Sequence, residues 1–394
     1  MRSSDCRTAV FLIFCCSTIS AADPGQYEIA RPGYHYQFPR DHFNHAAYKT
    51  EWWYYTGNLS AKDGRRFGFE LTFFRQALDR QKERRDAKPG VWDIPDVYFA
   101  HFTVSDLDGK RFFQAERLNR PGAGIAGADL AQARVWNGNW QAQWQLDSSH
   151  PGGFHAQTLQ AIAEKFSIRL SLSSDKPPVI HGVNGISQKA EGAGHASHYI
   201  SLTRLRTSGV IEIEGQRFEV GGLAWMDHEF FTNQLAADQA GWDWFSLQLD
   251  DGSELMLYRM RQKDGTAGRW SHGTFIEARR DARIEVRGDA STDARGAARG
   301  LSASEFQLSP GPSWTSPRTG ARYPVAWRIS VPALRLELTL NTRLESQELT
   351  STSDISPSYW EGAIEVTGTR AGRPIAGRGY LEMTGYAKPL QLSQ

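Results

Sequence analysis

Apolar and polar residues alternate along most of this chain, the period-two pattern of a strand buried on one face. The alternation occupies residues 53–59, 67–73, 97–104, 166–172, 199–205 and 210–213 in the first half. It returns at 246–249, 255–258, 327–331, 334–340 and 363–366 in the second. Asp-Gly pairs separate several runs, at Asp63-Gly64, Asp108-Gly109, Asp251-Gly252 and Asp264-Gly265, and glycine supplies the positive φ that tight hairpin turns need. No long stretch carries a convincing amphipathic helix. The pattern predicts an all-β fold of many short strands, a sandwich or a barrel. The charged run 75–88 (RQALDRQKERRDAK) reads as a solvated loop or short helix, with a helical lid as the alternative.

Two stretches share one plan. Residues 51–75 run from an aromatic strand through an Asp-Gly turn to an apolar strand ending in Arg75, and residues 241–259 repeat that order up to Arg259. Two antiparallel β-barrels in tandem, each opening on an aromatic hairpin, account for the repeat most simply. The switch between runs near Thr207 to Gly209 sets the expected units at residues 23–207 and 208–394. Two polar, glycine-rich stretches, 281–300 and 309–323, are expected as loops of the second unit.

The first 22 residues read differently. Arg2 and Arg7 precede an apolar stretch and then Ser20-Ala21-Ala22, the layout of a cleavable export signal. The apolar stretch is shorter than the roughly 20 residues that cross a bilayer. All three cysteines, Cys6, Cys15 and Cys16, lie within these first 22 residues, so a chain cut before Asp23 has no thiol and no disulfide. Lipid attachment at Cys15 or Cys16 is the alternative, against which stands the bulky Phe14. An exported location, periplasmic or extracellular, is expected. Cutting there takes Lys plus Arg from 45 to 43 and Asp plus Glu from 44 to 43. A chain of zero net charge is a poor partner for nucleic acid, which demands a basic surface. No transmembrane segment is expected beyond residue 22.

Candidate chemistry concentrates in residues 221–261. No Gly-x-Ser-x-Gly elbow occurs, and His228-Glu229 lacks the second histidine of a zinc-protease motif. His42-x-x-His45 and His195-x-x-His198 have a spacing that suits metal only on a helix; on a strand, residues three apart face opposite sides. No metal or cofactor is expected. If Asp227, His228 and Glu229 are extended, Trp225, Asp227 and Glu229 share one face and Met226, His228 and Phe230 the other. The first face would hold a carboxylate pair able to supply a general acid; the second would offer an imidazole to an apolar space. The alternative is structural, with Asp227 and Glu229 binding backbone amides or arginines at a strand end. Thirteen tryptophans are a surplus, and Trp242 and Trp244, on one strand face, suit a ligand wall or mouth. Trp53 and Tyr55 are candidates for the same role, His101 reads as a core histidine, and Glu51 as a barrel-end ion pair.

The motifs EWWYYTG, HFTV, AWMDHEF, GWDWFSLQLDDG, ELMLYRMR and GYLEMTGY together resemble the AttH/CrtC-like family, over essentially the whole chain after the signal. That family includes bacterial proteins called predicted secreted hydrolases, and the carotenoid 1,2-hydratases. The resemblance implies two lipocalin-like β-barrels in tandem, and a cofactor-free hydration in which a terminal isoprenoid alkene is protonated and the carbocation captured by water. The hydratase pattern places a His-x-Trp after an aspartate and a Tyr-x-Asp further on. His228 and Tyr258 match its histidine and tyrosine, while Phe230 and Met260 stand where its tryptophan and aspartate would be. Asp227 or Glu229 would then have to serve as the acid.

Three functions follow from these readings: a hydro-lyase acting on a hydrophobic, isoprenoid-like or lipid-like molecule held in a barrel cavity, a carrier of such a molecule, or a carboxylate- and histidine-dependent hydrolase. The expected site has His228 and Tyr258 pointing into one cavity of the second barrel, near Trp242 or Trp244, with Trp225, Phe230 and Met260 completing an apolar lining.

Overall fold

The computed structural model describes residues 27–78, 96–174, 176–278, 298–351 and 357–390. The expected export signal, the part of the charged run after Leu78 and most of the stretch 281–300 lie outside them. The fold is all-β, two lipocalin-like antiparallel barrels in tandem, the first nearly closed and the second a more open half-barrel. Among the described residues no helix is long and apolar enough to cross a membrane.

The first sheet opens with β1 (Thr50–Ala61), β2 (Arg66–Ala77), β3 (Asp96–Asp106) and β4 (Arg111–Asn119). It continues through β5 (Ala126–Asp129), β6 (Arg134–Asn137), β7 (Trp140–Leu146), β8 (Phe154–Ile162) and β9 (Phe166–Ser174). The short β10 (Val179–Ile180) and β11 (Ser187–Gln188) lie on the long β12 (Ala196–Ile213), and β13 (Gln216–Phe231) follows. Strand order is β4-β3-β2-β1-β13-β12-β9-β8-β7-β6-β5. Side chains join the two edges: Asn137 Nδ2 donates to the Tyr98 carbonyl at 3.1 Å, and Arg117 Nη1 to the Asn137 carbonyl at 3.3 Å. Inward residues such as Trp53, Tyr55, Phe69, Phe102, Trp140 and Met226 fill the barrel.

The second sheet begins with β14 (Gln239–Leu249), β15 (Glu254–Gln262), β16 (His272–Ile276), β17 (Ala298–Ser302) and β18 (Gln307–Pro310). A separate ribbon of β19 (Ser313–Thr315) and β20 (Arg322–Pro324) precedes β21 (Ala326–Val331), β22 (Leu336–Asn341), β23 (Glu348–Leu349), β24 (Tyr359–Arg370) and β25 (Arg373–Met383). Its order is β17-β16-β15-β14-β25-β24-β22-β21-β18. Phe245, Leu257, Trp327, Trp360 and Leu381 pack inside it.

The expected boundary at Thr207 to Gly209 falls inside β12. Gly209 marks a close approach of neighbouring backbone there: its φ is +152°, and a Cβ at that position would lie 2.2 Å from the Arg169 carbonyl oxygen. Both runs 199–205 and 210–213 belong to that one strand, and the chain passes from the first sheet to the second between Phe231 and Gln239. The two sheets meet through outward faces. Gly68 lets β2 approach β24, since a Cβ there would sit 2.8 Å from Ala363 Cβ. Asn58 Nδ2 reaches the Gly379 carbonyl at 2.9 Å, and Gln248 Nε2 the Thr203 and Ala224 carbonyls at 2.8 and 2.9 Å.

Candidate functional site

Register decides which side chains meet between the sheets. Directly opposed residues of an antiparallel pair share a face, and β1 pairs with β13 so that Trp52 opposes Glu229 and Tyr54 opposes Asp227. On the facing sheet, Trp242 opposes Met260, Trp244 opposes both Tyr258 and Glu382, and Glu361 opposes Glu382. All except Glu361 line a cavity of about 190 Å³ between the barrels. The two aromatic hairpins recognised in the sequence thus face one another across it. The Trp52 and Trp242 rings stand 6.3 Å apart, and Tyr54 meets Trp244 edge-on at 5.2 Å.

Carboxyl groups stud this apolar space. Asp227 receives hydrogen bonds from Tyr199 OH at 2.5 Å, Trp225 Nε1 at 2.5 Å and the Ser201 hydroxyl. Burial nevertheless outweighs those donors and pushes its pKa up to about 7. Glu382 accepts from Trp242 Nε1 at 3.0 Å. Burial, with Glu70, Glu229 and Asp227 adding to it, pushes Glu382 up to about 8. Burial also raises Glu229, which bonds Ser197 and takes Gln234 Nε2 at 3.2 Å. Further in, Glu361 accepts from Tyr54 OH at 2.5 Å, and Glu70 is raised by burial to about 7. The partners of Asp227 and Glu229 are hydroxyl, indole, amide and ammonium groups of side chains, neither the backbone amides nor the arginines of the structural alternative.

The expected pairing of His228 with Tyr258 in one cavity does not occur. His228 belongs to the first sheet and points into the first barrel, where its ring stacks on Trp53 at 4.9 Å. Its Nε2 is 2.9 Å from Glu51 Oε1, and its Nδ1 is 3.1 Å from the Asp41 carbonyl. Burial lowers its pKa, with the Glu51 carboxylate opposing that shift. Phe230, on the same face, stacks on His45 at 3.6 Å. Trp53 and Tyr55 are barrel core and are not among the residues lining this cavity. Alternation moves every second residue of β1 and β13 to the far side of the wall. Trp225 packs behind the cavity against Trp244 at 6.3 Å, while Trp242, Trp244, Tyr258 and Met260 line it as expected. The cavity itself lies outside both barrels, because the barrel interiors are filled with side chains.

His45, Glu51 and His228 are the one group of three potential metal ligands among the described residues. Their arrangement is that of a closed hydrogen-bond cluster. Glu51 Oε1 accepts from both imidazoles, at 2.7 and 2.9 Å, and Oε2 takes Arg75 Nε at 3.2 Å. A cation there would have to compete with a buried guanidinium. Glu51 is therefore the barrel-end ion pair its position suggested. His101 is buried and hydrogen-bonded, in keeping with its reading as a core histidine. It lies on the outer face, lines the cavity and sits 2.6 Å from Tyr359 OH.

Glu382, Glu361 and Glu70 were missed. Each is a carboxylate inside a mostly aromatic or apolar strand, alone in YLEMTGY and FGFELTFF and beside Glu365 in YWEGAIEV. That pattern is the signal: a carboxylate within a strand that is otherwise mostly apolar or aromatic marks a face covered by a second layer.

The AttH-like family profile matches residues 29–386. The chain belongs to the AttH-like family. A crystal structure of a Nitrosomonas europaea protein described as AttH is similar, with 32% identity and a TM-score of 0.74, over 91% of this chain and 99% of that one. Kievitone hydratase from Nectria haematococca shares the fold at 14% identity and a TM-score of 0.63, over 87% of this chain and 90% of that one. No curated protein matches the sequence. For an AttH-like chain the match therefore supports both the order of the motifs and the two-barrel architecture.

Proposed function

We propose that this protein is an exported, cofactor-independent hydro-lyase that adds water to a carbon–carbon double bond of an isoprenoid-like molecule held between its barrels. One observation carries the reading: two carboxyl groups from different sheets, Asp227 and Glu382, line an aromatic cavity with their pKa values pushed to about 7 and about 8. A carboxylic acid kept neutral in an apolar site is a proton donor, and a second carboxyl of lower pKa beside it is a base. Glu382 gives its proton to the less substituted alkene carbon, and the π pair forms the new C–H bond. The tertiary carbocation rests against the faces of Trp52, Trp242 and Trp244, as cations do on aromatic rings. Water attacks it, forming the C–O bond, and loses a proton to Asp227. Proton return from Asp227 to Glu382 completes the cycle without a cofactor. A hydratase among the proteins of the same fold is in keeping with this chemistry.

The test is incubation with terminal isoprenoid alkenes in ¹⁸O-water and mass analysis of the products. The wild-type protein is expected to form labelled tertiary alcohol. Glu382→Gln and Asp227→Asn are each expected to lower turnover by about 10²–10⁴-fold, with ligand binding kept within roughly tenfold. Binding without any turnover would make the protein a carrier, and cleavage of ester probes instead would make it a hydrolase.

A further inference from the structure

Lys189 is a buried ammonium group in this cavity that the hydration chemistry does not use, and its contacts are an aromatic face and one loosely held carboxylate. It follows β11 and is only 5% exposed. Its backbone is fixed at both ends, by N–H donation to the His195 carbonyl at 2.8 Å and by a hydrogen bond from Gln239 Nε2 to its carbonyl at 2.7 Å. Its Nζ stands 3.8 Å above the Tyr258 ring and 5.0 Å from that of Tyr199. The carboxylate it pairs with, Glu229 Oε2, is 3.6 Å away, beyond hydrogen-bond distance. That oxygen already accepts from Ser197 and Gln234. An ammonium carries three donors and no acceptor, and removing it from water is costly unless acceptors replace the water.

We infer that Lys189 is the anchor for an anionic oxygen on the ligand, so that the molecule bound is an apolar isoprenoid-like acid rather than a hydrocarbon. The geometry supports this choice. Tyr258 forms a flat floor beneath the ammonium, and its own hydroxyl is turned away to Ser187 Oγ at 3.0 Å and the Gln188 carbonyl at 3.2 Å. Lys189 lines the cavity, and an ammonium has three donors to offer a ligand there. A carboxylate placed there would make charge-assisted hydrogen bonds in a water-poor space, where they are strong, and its hydrocarbon tail would lie along Trp52, Trp242 and Trp244. The inference rests on the cavity being the ligand site, and not on the hydration reaction.

Geranic acid, geraniol and myrcene form a ten-carbon series differing in the head group, and tryptophan fluorescence quenching at pH 7.5 reads their binding. The acid is expected to bind about tenfold or more tighter than the alcohol, with myrcene weakest. In Lys189→Met the acid and the alcohol should bind within roughly threefold of one another, while Lys189→Arg keeps the preference for the acid, since it keeps the charge. Glu229→Gln, which removes the competing carboxylate, should strengthen it. Equal binding of the three ligands to the wild-type protein would overturn the anchor alone. So would an undiminished preference in Lys189→Met, or, should that variant not fold, a preference unchanged by Glu229→Gln. Binding of none of the three would overturn the cavity as ligand site together with the anchor.

Discussion

Strand β13 carries two buried clusters of ionisable groups on its two faces, and they are built on opposite principles. On the barrel side, His228 joins His45, Glu51, Asp41 and Arg75 in a network where each charge meets a partner. Burial alone would raise Glu51, but His45, His228 and Arg75 together hold it well below the usual carboxylate range. On the cavity side, Asp227 and Glu229 are buried too and Glu382 is partly buried, yet apart from the loose contact of Lys189 with Glu229 they face neutral donors and each other. Their pKa values rise. Burial is common to both clusters, so burial does not identify a site. The decisive feature is whether the charges are paired: the paired cluster fastens the N-terminal segment 27–48 across the barrel end, and the unpaired one stores protons beside an open space.

Breaking the paired cluster should have the largest effect. Glu51→Gln leaves Arg75 and two imidazoles without their carboxylate, and removal of one partner of a buried ion pair costs about 3–5 kcal/mol. The urea midpoint is expected to fall accordingly, with any protein that stays folded binding ligand normally. Asp227→Asn is expected to lower the midpoint far less, because an amide replaces a partly neutral group and gives up only one or so of the three hydrogen bonds it accepts. The division between the faces fails if Asp227→Asn destabilises as much as Glu51→Gln.

The pH dependence of stability separates the faces more finely. Asp227, Glu70 and Glu382 hold protons in the folded chain at pH values where the unfolded chain has lost them, so their contribution declines from about pH 4 through their folded values near 7 and 8. Asp41, lowered to about 2 despite burial, and Glu51 act oppositely: their stabilisation is present above about pH 4 and lost as pH falls toward their folded values. His45 is raised, its carboxylate partners overcoming burial, and so adds stability below about 6.5 that is lost as pH rises through its folded value. His228, lowered by burial, works against folding in acid. The sum is a stability maximum in mildly acidic solution and a decline as pH rises toward 9. Asp227→Asn should flatten that decline. A flat profile from pH 5 to 9 in the wild-type protein would show the cavity carboxyls to be ionised throughout.

Much of this was legible in the chain. Alternation separated Asp227 and Glu229 from His228, the Asp-Gly turns marked the hairpins, and the repeat of residues 51–75 in 241–259 foreshadowed the facing walls. The place of the cavity was not legible. Outward residues of a barrel normally meet water, and only docking of the second sheet turns Trp52, Tyr54 and Glu70 into interior residues. Nor could spacing bring Glu382 and Asp227 to one cavity, since that depends on β25 pairing with β14, more than a hundred residues earlier in the chain. His228 was misplaced because a motif gives a residue's neighbours along the strand but not which side of the wall becomes the site.

Tyr258 offers the smallest and sharpest test. The family resemblance implies a catalytic tyrosine at this position, whereas the structure turns its hydroxyl to Ser187 and Gln188 and its ring face to Lys189. Tyr258→Phe keeps the ring and removes only the hydroxyl, so turnover should stay within about threefold, the loss of two neutral hydrogen bonds being a matter of stability. Tyr258→Leu removes the ring, and a buried cation over an aromatic face contributes roughly 0.5–2 kcal/mol. Acid binding should then weaken by severalfold while turnover at saturating ligand is kept. Loss of turnover by two or more orders of magnitude in Tyr258→Phe, at unchanged affinity, would make the phenol a proton donor and move the chemistry from the carboxyl pair to β15.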